Sequence, residues 1–260
     1  ENTNIRVAEP DININMEYAD DISNASTNKE MIDHAKRTLP DILKSRNLKV
    51  NQDKTEEYTI NKFGDESWKN CKFLGTVLDT EKEIKRRKGL AIDVIRTMKK
   101  QFFSKKLSLK VKIRLFNTYV SSVFLYNSEI WTLTSNDEQG INAFQRKLIK
   151  HNILNIFWPN KITNNSLYRK TGITPWSETI KLRRYRWFGH VSRLEPETPA
   201  RTALEHCIKP TNHGQGKPKT TWISRIKNDI QNDFGQSIRQ AMKSANDRKL
   251  WRRKVKGAMS

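Results

Sequence analysis

Apolar spacing changes period once along this chain, near Asp79, and the change sets what it can fold into. Before that point Ile12, Ile14, Met16 and Tyr18 alternate with Asn13, Asn15 and Glu17, the period-two pattern of a half-buried strand. Ala19-Asp20-Asp21 is a natural turn and apolar character resumes at Ile22, which predicts a β-hairpin with acids at its tip. Thr27-Asn28-Lys29-Glu30 has the form of a capping box opening a helix with Met31, Ala35, Leu39 and Leu43 on its apolar face. Pro40 should kink or split that helix. A second β-rich stretch is expected from Val50 to Leu78, with Gly64-Asp65 as a turn and Phe73 and Val77 in strand-like surroundings.

Beyond Asp79 the period is helical. Ala91, Ile95, Met98 and Phe102 mark one helix, and Ile113, Phe116, Val120 and Val123 a second. Ile141, Phe144 and Leu148 mark a third, and Ile180, Tyr185, Phe188 and Val191 a fourth. Trp222, Ile226, Ile230 and Phe234 repeat every four residues in a fifth. Asn164 to Pro175 reads as a loop with a short helical turn, and the Pro- and Gly-rich stretch from Glu195 to Lys219 as a linker. The expected class is α+β. Residues 1–78 hold β-hairpins and a helix, 79–135 a helical region, and 136–260 a basic helical region.

Charge narrows the partners. Lys and Arg number 49 against 28 acids, a formal net charge of +21, and that excess calls for a polyanion. Basic runs interleaved with aromatics favour nucleic acid over an anionic membrane. No apolar run approaches the ~20 residues of a membrane span. Two cysteines, Cys71 and Cys207, supply no disulfide framework, so the expected compartment is intracellular, nuclear or cytoplasmic.

Adjacent carboxylates at a hairpin tip, Asp20 and Asp21, can reach a hard divalent cation. Nucleotidyl transfer at two metals needs such acids, whereas a solvated Asp-Asp turn needs none. The tetrapeptide Tyr18-Ala19-Asp20-Asp21 does not stand alone. Leu48-Lys49-Val50-Asn51-Gln52-Asp53-Lys54-Thr55-Glu56 follows, and then Lys72-Phe73-Leu74-Gly75. In order and spacing this series resembles the reverse transcriptases of non-long-terminal-repeat retrotransposons. They carry a Tyr-Ala-Asp-Asp hairpin, a Leu-x-Val-Asn-x-x-Lys-Thr-Glu segment and a Phe-Leu-Gly hairpin. The resemblance continues through Leu115–Trp131, Leu182–Arg193 and Gly216–Trp222, and covers roughly residues 10 to 235.

The resemblance implies a partial polymerase palm over 1–78, a thumb over 79–135 and a basic C-terminal region over 136–260. It implies RNA-directed DNA synthesis with Mg²⁺, or Mn²⁺ in its place, on an RNA template and a DNA primer, with retroelement RNA as partner. Asp20 would be the metal ligand and Asp21 its companion, while Tyr18 would lie beneath the primer end. Lys54 would face the incoming nucleotide's phosphates, or be a plain surface lysine. Phe73, Leu74 and Gly75 would form the primer grip, or simply pack. The family also needs an upstream metal-binding Asp and template-binding fingers with no counterpart in these residues, which leaves half a catalytic centre. The expectation is therefore a polymerase segment inactive alone, or a non-catalytic nucleic-acid-binding remnant of a retroelement.

His190, His206, Cys207 and His213 lack the paired spacing of a zinc site, so zinc is not expected. The cations expected to meet phosphates are Arg86 and Arg87, Arg183, Arg184 and Arg186, and Lys217 and Lys219. Arg248, Lys249, Arg252, Arg253 and Lys254 flank Trp251 in a further run. Tyr185 and Trp187 could stack on unpaired bases or pack between helices.

Overall fold

In the computed structural model, residues 13–60, 64, 66–209 and 220–258 are described. They form two compact units divided between Gly75 and Thr76. The architecture is α+β in the general sense, mostly helical with two small antiparallel sheets.

In the first unit, strands β1 (Asn13–Tyr18) and β2 (Asp21–Ser26) pair in register from Asn13↔Ser26 to Tyr18↔Asp21. Directly opposed residues share a face, so Ile14, Met16 and Tyr18 lie with Ala25, Ser23 and Asp21. Helix α1 (Lys29–Lys44) follows, but its cap is Asn28, whose side chain accepts from Glu30 N at 2.9 Å. It runs unbroken through Pro40. The expected β-rich stretch from Val50 to Leu78 is mostly irregular. It holds two 3₁₀ turns, Gln52–Lys54 and Ser67–Asn70, and only the two-residue strand β3 (Lys72–Phe73); the equally short β4 (Thr76–Val77) opens the second unit. Residues 50–60 lack the period-two alternation that would bury one face of a strand. Of residues 14–60, 64 and 66–75, none is fully buried.

The second unit is helical. α2 (Thr80–Thr97) opens on Asp79, which accepts from Lys82 N at 2.9 Å. Short helices α3 (Lys99–Phe103) and α4 (Leu109–Leu115) follow, and the latter widens into one π-type segment at Phe116–Ser121 before α5 (Ser122–Phe124). A 3₁₀ turn at Ser128–Ile130 leads into α6 (Ser135–Asn152), capped by a reciprocal Thr134–Asp137 box. α7 (Asn164–Thr171) fills most of the expected loop, with Thr163 as N-cap and Gly172 at φ 64 as stop. α8 (Trp176–Ser192) is next, then α9 (Pro199–Ile208) inside the expected linker, opened by a proline at its first turn. α10 (Trp222–Phe234), α11 (Ile238–Asn246) and α12 (Arg248–Gly257) complete the fold.

Two apolar clusters lie in this unit. The first runs from Ile84 to Ile180 around Phe102, Phe116, Phe124, Trp131 and Trp176, with Trp176 stacked on Phe124 at 4.1 Å between centroids. The second gathers Tyr185, Phe188, Ile226, Ile230, Ala241, Trp251 and Val255. The sequence-based boundary at 135 falls inside the first cluster. The two clusters meet within α8, which gives Trp176 and Ile180 to one and Tyr185, Phe188 and Val191 to the other.

Asp247 caps α12, accepting from Lys249 N at 2.8 Å and Leu250 N at 3.0 Å, and these bonds hold its carboxyl below the usual range. A carboxylate with a depressed folded-state pKa stabilises above its unfolded value and loses that contribution as pH falls through the folded one. Asp247→Ala is therefore expected to lower the melting temperature at neutral pH. The gap to the parent should narrow as pH drops below about 4, measured by circular dichroism.

Candidate nucleic-acid interface

Asp20 and Asp21 sit where the hairpin reverses. Ala19 takes φ 55, a left-handed conformation that costs an L-residue with a Cβ about 1–2 kcal/mol. Both carboxylates are exposed, and Tyr18, opposite Asp21 in the ladder, is 68% exposed. Their oxygens suit Mg²⁺, yet among the described residues no three Asp, Glu, His or Cys side chains converge on a metal site. Two carboxylates alone do not make a ligand shell, and no chemical step follows from them.

Lys54 ends a 3₁₀ turn and is exposed, rather than starting a strand. Phe73 closes β3, and Leu74 and Gly75 make the reversal to β4 at φ 44 and φ 74. Two successive positive φ values fit the two-residue turn that joins right-twisted strands. Phe73, Leu74 and Gly75 are half-buried.

The basic residues divide sharply. Arg184 is fully buried and donates to Asp229 at 2.6 Å; Asp229 also faces Arg225 at 3.4 Å, and Arg225 bonds Glu138 at 2.6 Å. Burial pulls the Arg184 pKa down, against the pull of Asp229. Arg184 thus links α8 to α10, and its expected place among phosphate-binding residues is corrected: its side chain has no solvent-facing atom to offer. Arg87 is corrected likewise. It is buried, donates to Glu83 at 2.5 Å and to Val123 O at 3.3 Å, and lies 4.6 Å over the Tyr126 ring. Arg86 is half-buried, with Glu83 3.6 Å away. Lys217, Lys219 and His213 lie outside the described residues.

Arg183 is half-buried and bonds Leu125 O, whereas Arg186 is exposed. Tyr185 is wholly buried and donates to Asp233 at 2.8 Å; burial, then that bond, pushes its pKa up. It packs. Trp187 turns the other way and is 37% exposed. His206 and Cys207 are exposed.

At the end of the unit Arg248, Lys249, Arg252 and Arg253 are all exposed on α12, while Trp251 between them is buried. Arg193, half-buried nearby, has its pKa lowered by burial and then by the charges of Arg248 and Arg252. The charges of Arg248 and Arg252 thus reach Arg193, and a cluster of cations of this kind is the condition that favours a polyanion. Sequence reading missed Arg193 and Glu129. Neither carries a local signal, because each gains its neighbours only through packing of distant segments. Comparison with protein-family models, curated proteins and solved structures finds no match for this chain.

Proposed function

We propose that this chain is the nucleic-acid-gripping part of a retrotransposon-type reverse transcriptase, with Asp20 and Asp21 as its contribution to a two-metal centre. The observation that carries the reading is the strained hairpin tip. Strained non-glycine backbone persists where the fold over-determines it, and such positions cluster at functional sites. Here the strain at Ala19 holds two carboxylates in solvent beside an exposed tyrosine. The tight Phe73–Leu74–Gly75 reversal suits a role as primer grip, since glycine lets a strand of nucleic acid approach closely. Partial palm and thumb are the regions this reading assigns to residues 1–78 and 79–135. RNA template, DNA primer and Mg²⁺ are the partners it requires.

A second reading, nucleic-acid binding without catalysis, needs only the exposed basic residues of α8 and α12 and no metal centre. Both readings share a phosphate-binding surface, and one experiment tests that surface and the fragment's expected inactivity together. Residues 1–260 are titrated against a fluorescent primer–template duplex across salt, with nucleotide incorporation followed in parallel. Arg184 and Arg87 are buried and drop out, and the surface is taken to make about four phosphate contacts. Affinity should then fall roughly a hundredfold between about 50 and 200 mM salt, through counterion release. Incorporation should be absent. Salt-indifferent binding would remove both readings, and template-dependent incorporation abolished by Asp20→Asn would remove the second.

A further inference from the structure

The segment that joins α6 to α7 carries the most exposed aromatic side chain among the described residues: Trp158 is 86% exposed, and Phe157 beside it 49%. Both ends of this segment are anchored. Ile153 is buried in the first apolar cluster, and Leu154 and Ile162 pack against it. Leu154 N donates to Ile149 O and Ile156 N to Lys150 O, each at 3.0 Å, so the chain folds back over the end of α6. Asn155 supplies the reversal at φ 52, a left-handed conformation that asparagine adopts more readily than most residues. The Phe157 ring then leans on that of His151, 5.2 Å away and tilted 51°.

The indole held out in this way stands in a strongly basic stretch. Between Glu138 and Glu178 the chain has no acid, while Arg146, Lys147, Lys150, Lys161, Arg169 and Lys170 all carry positive charge. Of these, Lys147, Lys161, Arg169 and Lys170 are exposed. Single exposed apolar residues are common on protein surfaces, but here an adjacent Phe-Trp pair sits on an anchored segment among cations. An anionic membrane also takes tryptophan beside lysine, yet lying in a bilayer interface needs an apolar helix face. The apolar faces of α6 and α7 are committed to the core through Ile141, Leu148, Ile149 and Leu167.

An anchored segment, a projecting ring and acid-free surroundings fit a strand whose bases are unpaired. We propose that Trp158 is a stacking platform for one base of single-stranded nucleic acid, with the exposed cations of the same stretch meeting the flanking phosphates. The base lays its face on the indole. Every base has such a face, so the contact is blind to sequence. In a duplex the neighbouring base pairs already cover both faces of each base, so the indole selects unpaired strand over paired. DNA and RNA offer the same face, and both are held. The grip on a duplex then gains a second element, which holds the strand where it is unpaired.

The proposal rests on the nucleic-acid reading above, and its test separates the two. Residues 1–260 are titrated with fluorescent twelve-nucleotide oligothymidylate and oligouridylate, and with the primer–template duplex. Trp158→Ala should weaken binding of both single strands about tenfold and leave duplex affinity within about twofold. Its melting temperature should match the parent's, because an 86%-exposed ring adds little to packing. Trp158→Phe should keep most of the affinity, since a phenyl ring also stacks. Single-strand affinity unchanged by Trp158→Ala, or lost equally with duplex affinity, overturns the stacking site and leaves nucleic-acid binding standing. So does a Trp158→Ala variant that loses phosphatidylserine vesicles and keeps both oligonucleotides, which would make the segment a membrane contact. Failure of the parent to bind either single strand or the duplex overturns both.

Discussion

Asp229→Ala is expected to lower unfolding stability by about 3–5 kcal/mol, the cost of leaving a buried guanidinium without its counter-ion. Arg184 is fully buried and Asp229 is 5% exposed, so water cannot replace the lost carboxylate. The damage spreads further, because Asp229 also faces Arg225, which reaches Glu138 on α6. Two acids and two arginines are balanced there, and removing one acid leaves a net positive charge in the protein. Replacing Arg184 and Asp229 together by a well-packed Met–Leu pair should restore much of the stability, since an apolar pair carries no desolvation cost. Urea denaturation of the parent and these two variants decides the matter. A single-mutant loss under 1 kcal/mol would show the network to be slack. The same burial predicts that Arg184→Gln leaves the salt dependence of nucleic-acid binding unchanged, while Arg186→Gln lowers its slope by about one contact.

Gly189→Ala is expected to destabilise by about 3 kcal/mol, against the helix propensity that favours alanine by about 1 kcal/mol. A Cβ at this position would collide with Nε1 and Cδ1 of the Trp251 indole. The indole has nowhere to retreat. It is 3% exposed, donates to Tyr185 O at 2.9 Å, and meets the rings of Phe188 and Phe234 at 5.7 and 5.5 Å between centroids. Denaturant midpoints should drop with an unchanged slope, the signature of lost stability in the same fold. Trp251→Phe combined with Gly189→Ala should recover part of the loss, because the smaller ring vacates the collision. A stabilised single mutant would mean that α8 and α12 pack less closely than described.

Much of this fold could be read from periodicity, because hairpins and amphipathic helices are written in neighbours two, three and four residues apart. The acidic hairpin and the Trp222–Phe234 stripe are such cases. The misassigned loop at 164–175 and linker at 195–219 hid helices whose punctuation was present: Thr163 and Gly172 around one, Pro199 at the start of the other. Which arginines face inward was also legible, though charge alone conceals it. Arg184 lies four residues from both Ile180 and Phe188, and Arg87 three from Ile84 and four from Ala91, so each sits in its helix's buried stripe. What no local pattern could reveal is the meeting of Glu129 with α8, since it depends on how the turn at Ser128–Ile130 is carried to a helix fifty residues on.

The division of one helix between two apolar clusters bears on how such a chain can be shortened. A protein assembled from separable modules can lose one and keep the rest. Here a break between Ile180 and Tyr185 would strip the last wall from the cluster before it and the first wall from the cluster after it. Each fragment would then show hydrocarbon to water, and aggregation, rather than a smaller working protein, is the outcome physics favours. Truncations that keep α8 whole are the ones this architecture tolerates.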